Sequence, residues 1–541
     1  MKPIPRSLCC LLSFALLAAA LANAVPPTFQ HIIIVIQENR TPDNLFGGNP
    51  AFEQGVDIQR YPNAQPWCLG ACFSPDHSHP SWEKMWNTGG VNWNNGAGAC
   101  NIPVHNHCFD HGITYCNGVG VETQPFPACP QETYVSPTYD DAVVVPYFDI
   151  AQKYGFANYF FQTNQGPSFP AHQFLFTGTS APSGVGTGHK FFASENPSNG
   201  SGDSKAGCNS PADYLVNIID QDGQENTQSP LRPCFNHNSL PTLLGSGNWE
   251  YYAGAGTRSL TSIWTAPNAI VPICLPRTYD NQCSGYDWVN SVFFGPKQVL
   301  KDMGVGGNPC QLRKVSWVIP DGRWSDHPGM KTEIYSTEIE KGPAWVASII
   351  NTLGGTTCSD QGIPYWQNTV IFVVWDDWGG FWDHVNPETA PNLGVQNHCP
   401  GWGCGYTHGF RVPFLVISAY MAPVIEGPPP QGYVSGDTRT PGGGEKAPYI
   451  HDFGSILAFI ENNFSLTIGD INPQYRFADF YAPEFQANSQ NIPLADFFCN
   501  APCAWQQFRP ITVAPGAPQA IDFINDTGPD TDPDNDAIDN D

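Results

Sequence analysis

Two stretches of the 541-residue chain place oxygen-rich side chains directly after apolar, β-branched runs. His31 to Ile36 leads into Gln37-Glu38-Asn39-Arg40-Thr41, and Val370 to Trp375 leads into Asp376-Asp377-Trp378-Gly379-Gly380. The carboxylates and amide of Glu38, Asn39, Asp376 and Asp377 are donors of the kind that hold a hard or borderline divalent cation. Each alone reads as an ordinary solvated loop residue; two strand ends delivering such clusters read as a site, because carboxylates packed together repel until a cation joins them. Neighbouring Asp376 and Asp377 point to opposite faces within a strand, but both can turn inward at its end. Gly379-Gly380 then lets backbone approach a ligand closely.

The elements that must position these groups are legible as runs. His31 to Ile36, Lys314 to Ile319, Val370 to Trp375 and Val412 to Ser418 lack polar alternation, which predicts strands buried on both faces of a parallel sheet. Helix-like stretches lie between them, at Ala142 to Tyr154, Glu338 to Leu353 and His451 to Asn462. The alternation predicts an α/β fold with a doubly wound, mostly parallel sheet, helices on both faces, and ligands gathered at the carboxyl ends of the strands. The stretch from about 180 to 311, rich in Gly, Ser, Asn and Cys, is expected to form a cap or insertion. The catalytic domain is read as 25–510, followed by an acidic disordered tail over 511–541, whose residues from Asp522 onward include eight Asp and no Lys or Arg.

The motifs carry a resemblance. Glu38-Asn39-Arg40-Thr41-Pro42-Asp43 and Asp376-Asp377-Trp378-Gly379-Gly380-Phe381-Trp382-Asp383-His384-Val385 resemble the two signature motifs of the bacterial phosphoesterase family that contains phospholipases C and acid phosphatases. Gly166-Pro167-Ser168-Phe169-Pro170 is similar to that family's nucleophile region, and Asn248-Trp249-Glu250-Tyr251-Tyr252, Asp326-His327-Pro328 and Arg411-Val412-Pro413 match further. The likeness runs from about Gln30 to Phe480. It implies an alkaline-phosphatase-like core, a divalent metal ion of unspecified identity held by Glu38, Asn39, Asp376 and Asp377, and Ser168 as nucleophile through a phosphoserine. His327, His384 and His77 would donate to phosphoryl oxygens or protonate the leaving group, with His79 an alternative to His77 and with His237 and His451 weaker candidates. A structural role is the competing reading for each histidine, as a helix cap is for Ser168. Departures stand at Pro42, at Trp378 and at Ala171-His172, where phospholipases often have Asn-Arg; the last two bear on the substrate, a phosphate monoester or a phospholipid, more than on the reaction.

Composition bounds the rest. With 23 Lys+Arg against 49 Asp+Glu, a net charge of −26 repels polyanions, so nucleic acid is not an expected partner and an anionic substrate must be met by local positive charge. Lys2 and Arg6, the apolar run Leu8 to Leu21 and Ala22-Asn23-Ala24 read as a signal peptide over 1–24, and hence as secretion to an extracellular or periplasmic space. Of the 18 cysteines two lie in that segment, leaving 16, an even number that favours disulfides. Cys68/Cys72, Cys399/Cys404 and Cys499/Cys503 read as loop staples, although Cys68, Cys72, His77 and His79 also have zinc-ligand character. The Asp530 to Asp539 segment resembles a calcium-binding repeat but has Ala537 where Gly is usual. Sixteen Trp and twenty Tyr leave a secreted glycosidase as one alternative, and a non-catalytic extracellular binding protein as another. Apolar loop tips leave room for transient membrane-surface contact, and nothing in the sequence sets the oligomeric state.

Overall fold

β-branched residues dominate the predicted strands, and each folds as one. In the computed structural model, which describes residues 27–528 apart from internal segments of which the longest are 87–101, 329–340, 388–406 and 467–491, they are four of eight strands in a central sheet. In chain order these strands are β1 (His31–Gln37), β2 (Gly155–Ala157), β3 (Trp249–Ala253), β4 (Val292–Phe294), β5 (Val315–Val318), β6 (Thr369–Trp375), β7 (Phe414–Ser418) and β8 (Tyr433–Ser435). Their spatial order is β4-β3-β5-β1-β6-β7-β2-β8. All run in one direction except β7, which is antiparallel to both of its neighbours. Every residue of β1 and β6 is buried, as the unbroken apolar runs require.

Helices cover both faces. The sheet register puts Ile34 beside Trp317 and Phe372, so these three share a face. Trp317 donates its indole N–H to the Leu175 carbonyl of helix α2 (Ser168–Thr177), and Phe372 packs edge-on to Phe459 of helix α4 (Phe453–Asn463). Trp375, three residues beyond Phe372 and therefore on the other face, meets Tyr147 of helix α1 (Val145–Lys153), against which helix α3 (Gly342–Gly355) packs. Helix α4 begins with a capping box between Asp452 and Ser455, which fixes its start at the predicted place.

Two boundaries differ from expectation. The region 180–311 contains an antiparallel three-stranded sheet (Phe191–Ala193, Val216–Asp220, Glu225–Leu231) with a Cys208–Cys234 disulfide, but it also supplies β3 and β4. Trp249–Ala253 carries three aromatic residues and Glu250, and Val292–Phe294 is a three-residue Val-Phe-Phe run, so neither is a long aliphatic strand. The expected tail is also shorter at its front: residues 511–528 are described and partly packed. A helix α5 (Ala520–Asn525) inserts Phe523 between Trp324 and Trp345, and Asp526 forms an ion pair with Arg323. Aspartate count concealed this anchor because it depends on one phenylalanine. Residues 529–541, including the whole calcium-like fragment, lie outside the described residues, as do Met1 to Pro26, Cys68, Cys72, Cys399 and Cys404. Of the short staples Cys499–Cys503 is bonded, and Cys274–Cys283 and Cys310–Cys358 close two further loops.

Candidate functional site

Sheet register assembles the site. Gln37 lies beside Trp375 in the parallel pair β1/β6, so the next residues, Glu38 and Asp376, leave the two strand ends side by side. The backbone continues the ladder for one more bond, Asp376 N–H to Gln37 C=O at 2.9 Å, and the loops then lock through Arg40 N–H to Asp377 C=O at 3.1 Å. One Asp376 oxygen, Oδ1, organises both loops by accepting from Asn39 N–H at 3.2 Å and Asp377 N–H at 2.7 Å. Its other oxygen has no hydrogen-bond donor among the described residues although it is buried.

Asn39 sits in the left-handed region at φ 59°, which Asn tolerates better than most residues. Gly379, at φ 62°, is pressed against it: a Cβ there would stand 2.6 Å from the Asn39 carbonyl oxygen. Asn39 Nδ2 donates to His77 Nε2 at 3.1 Å, and His77 Nδ1 in turn donates to the Pro75 carbonyl at 2.9 Å. This network fixes the His77 tautomer and leaves Asn39 Oδ1 as a buried acceptor with no hydrogen-bond donor among the described residues. Buried acceptors are seldom left so, and Asn39 Oδ1 and Asp376 Oδ2 both belong to the oxygen set read from the sequence. The donor set therefore fits a divalent cation.

Ser168 enters from α2, where it is the first helical residue, after a Gly166-Pro167 turn. No side-chain capping bond forms at this end of the helix, so the hydroxyl is left for other work. It is 3.3 Å from Glu38 Oε2 and 3.3 Å from Asp377 Oδ2. Thr41, the other hydroxyl near the motif, donates to the Trp382 carbonyl and caps a short helical turn over Pro42–Phe46. Arg40 lies beside the site but its guanidinium donates to the Leu69 and Asp326 carbonyls.

The predicted histidines divide. His327, delivered by the loop after β5, is buried with its ring 6.2 Å from that of His77, and Trp264 lies 6.1 Å from it. His384 belongs to a separate buried cluster, bonded to Asp43 at 2.7 Å and Asp57 at 3.0 Å, where Arg411 also pairs with Asp43 and Asp383. Burial alone would depress its pKa, but Asp43 and Asp57 outweigh that and raise it to about 9. The motif thus places His384 in a charged clasp behind the Glu38 loop. Of the weaker candidates, His79 bonds to the Gln165 carbonyl, His237 to the Asn238 carbonyl and His451 to Ser435.

His172 is a site residue that the sequence reading noted only as a departure from the family pattern. It lies one helical turn after Ser168, on the same face of α2. Its Nε2 is 2.9 Å from Glu38 Oε1 and 3.7 Å from Asp376 Oδ2. Burial pushes its pKa down to about 4 against the opposing charge of Asp376, so the imidazole is neutral at ordinary pH. The i, i+4 spacing from Ser168 was the available signal.

The Phosphoesterase family matches residues 29–467 of the chain. A hemolytic phospholipase C of Pseudomonas aeruginosa is 21% identical over 484 residues, covering 83% of this chain and 54% of that protein. A non-hemolytic phospholipase C of the same organism is 26% identical over 205 residues, 34% of this chain and 25% of its own length. Phospholipase C A of Mycobacterium tuberculosis is 32% identical over 121 residues, 20% of this chain and 21% of its own. The chain spans about half or less of the length of these curated relatives.

Proposed function

We propose that this chain, which belongs to the phosphoesterase family, is a secreted metal-dependent hydrolase of phosphate esters that works through a phosphoserine at Ser168. The observation that carries the reading is a hydroxyl at a helix start, 3.3 Å from two carboxylates of a buried donor cluster in which Asn39 Oδ1 and Asp376 Oδ2 lack hydrogen-bond donors among the described residues. Glu38, Asn39, Asp376 and Asp377 would hold the cation. A bound divalent ion supplies charge neutralisation at a phosphoryl oxygen and lowers the pKa of a neighbouring hydroxyl.

The chain's own groups do the rest. Ser168 Oγ forms the bond to phosphorus as the ester P–O bond breaks, and its proton passes to a carboxylate oxygen 3.3 Å away, on Glu38 or Asp377. The amino end of α2 points positive charge at the phosphoryl group. His327, whose Nδ1 is bonded to the Pro328 carbonyl, would protonate the leaving alkoxide through Nε2, while His77, bonded to Asn39 and to the Pro75 carbonyl, would hold Asn39 in position. In the second half, water attacks phosphorus, the P–Oγ bond breaks and Ser168 regains a proton, releasing phosphate or a phosphorylated headgroup. His384 has its role in holding the loop that begins at Glu38, since its bonds go to Asp43 and Asp57.

Both phosphate monoesters and phospholipids are substrates of the right chemistry, and the named phospholipases C among the relatives favour testing lipid first. A panel of p-nitrophenyl phosphate, p-nitrophenyl phosphorylcholine and phosphatidylcholine, each with chelator and with added divalent ions, reads out class and metal need together. Ser168→Ala is expected to lose nearly all turnover while binding metal as before, and acid-quenched wild type is expected to carry phosphate on the Ser168 peptide. Near-normal turnover of Ser168→Ala, or phosphate on Thr41 instead, refutes the mechanism.

A further inference from the structure

We propose that His172 is a ligand of the same cation as Glu38 and Asp376, giving a mixed nitrogen and oxygen donor set that selects a borderline transition-metal ion over magnesium or calcium. The inference rests on the metal-dependent reading above and adds to it a residue that the family's oxygen-donor motifs do not include.

Geometry supports it first. One donor atom each from Glu38, His172 and Asp376 lie within 4.8 Å of one another, and all three side chains are buried. Donors bound at ~2.1 Å lie ~3.0 Å apart across an octahedral edge and ~3.4 Å apart across a tetrahedral one. The separations from His172 Nε2, 2.9 Å to Glu38 Oε1 and 3.7 Å to Asp376 Oδ2, bracket those edges. An N–H···O bond alone accounts for the first contact. It leaves the second unexplained, because Asp376 Oδ2 is a buried acceptor without a hydrogen-bond donor among the described residues, facing the same nitrogen.

Helical spacing makes the arrangement a unit. Ser168 and His172 reach Glu38 from one face of α2, the serine at Oε2 and the histidine at Oε1, so the nucleophile and the imidazole are keyed to the same carboxylate. Trp264 lies nearly parallel to the imidazole, 17° between planes with centroids 6.3 Å apart, and restricts its tilt. The donor chemistry then decides the ion: imidazole nitrogen suits zinc, iron, cobalt and nickel, whereas magnesium and calcium favour all-oxygen cages.

The test uses the full chain, stripped by chelation and titrated with Co2+ and with Mg2+ in parallel, followed by visible absorption of the cobalt form. His172→Gln is the variant of choice, since its amide can keep a bond to Glu38 while removing the nitrogen donor. The expected result is that its ratio of Co2+ to Mg2+ affinity falls at least about tenfold and that the cobalt absorption bands shift. X-ray absorption of wild-type cobalt protein is expected to contain imidazole scattering, a readout that survives any folding defect of the variant. Unchanged affinity ratio and bands in His172→Gln, or no imidazole scattering in the wild type, overturn the ligand assignment and leave the metal-dependent reading intact. A folded wild type that binds neither ion overturns both.

Discussion

Replacing Asp376 by Asn is expected to change stability in opposite directions with and without metal. In the metal-free chain the Glu38 and Asp376 carboxylates hold oxygen atoms within 4.8 Å of a common set. Two charges at that separation repel by about 3 kcal/mol at an effective dielectric of 20. Against this stand two hydrogen bonds, from Asn39 N–H and Asp377 N–H, that Asp376 Oδ1 accepts as a charged group. An amide oxygen in the same place weakens each by about 1 kcal/mol. The balance leaves the metal-free Asp376→Asn protein more stable by about 1 kcal/mol, which in a chain of this size is a rise of about 1–2 °C in melting midpoint. With metal bound, the repulsion is already neutralised and the substitution removes an anionic ligand, so the midpoint falls and hydrolysis is lost. Thermal melts of both proteins in chelator and in saturating divalent ion measure the four midpoints. A drop of the same size in both conditions refutes the reasoning, because it makes Asp376 a structural anchor and not a charge awaiting a cation.

Gly379→Ala adds a Cβ 2.6 Å from the Asn39 carbonyl oxygen at a φ that costs an L-residue ~1–2 kcal/mol, so it is expected to lower stability and displace Asn39; isothermal titration showing wild-type metal affinity counts against that coupling. His384, with its pKa raised from 6.5 to about 9 in the folded chain, contributes stability that is fully present below pH 6.5 and lost as pH rises through about 9. His384→Gln is accordingly expected to cost on the order of 2–3 kcal/mol at pH 6 and much less at pH 10, read from urea midpoints, and an equal cost at both pH values excludes the charged clasp. Thiol titration of the native protein is expected to find few or no free cysteines, in keeping with the four described disulfides, and sixteen reactive thiols contradict it.

The sheet's centre was legible because residues buried on both faces must be apolar throughout, and β1, β5, β6 and β7 are. Its edge was not: Trp249–Ala253 mixes aromatic residues with Glu250, Val292–Phe294 is only three residues long, and their membership depends on pairing with β5 and each other. The oxygen donors could be read from the strand ends, since parallel neighbours of equal register end together. The partition of the histidines could not, because it depends on where Asp43, Asp57 and Arg411 converge from three distant segments. His172 was visible in principle from its four-residue distance to Ser168, but its partners Glu38 and Asp376 come from segments far away in sequence.

The pairing of Gln37 with Trp375 has a consequence in time. Strands β1 and β6 are neighbours in space yet more than 300 residues apart in sequence, and the donor set is split between them. A ribosome-bound chain is therefore incapable of forming the complete cluster until Asp377 has emerged, long after Glu38 and Ser168. A truncated product ending between Ser168 and Asp376 carries the hydroxyl and Glu38 without the other half of the proposed cage. Termination in that span leaves the proposed hydrolytic centre incomplete, and the centre can be assembled only when synthesis of the central sheet is nearly finished.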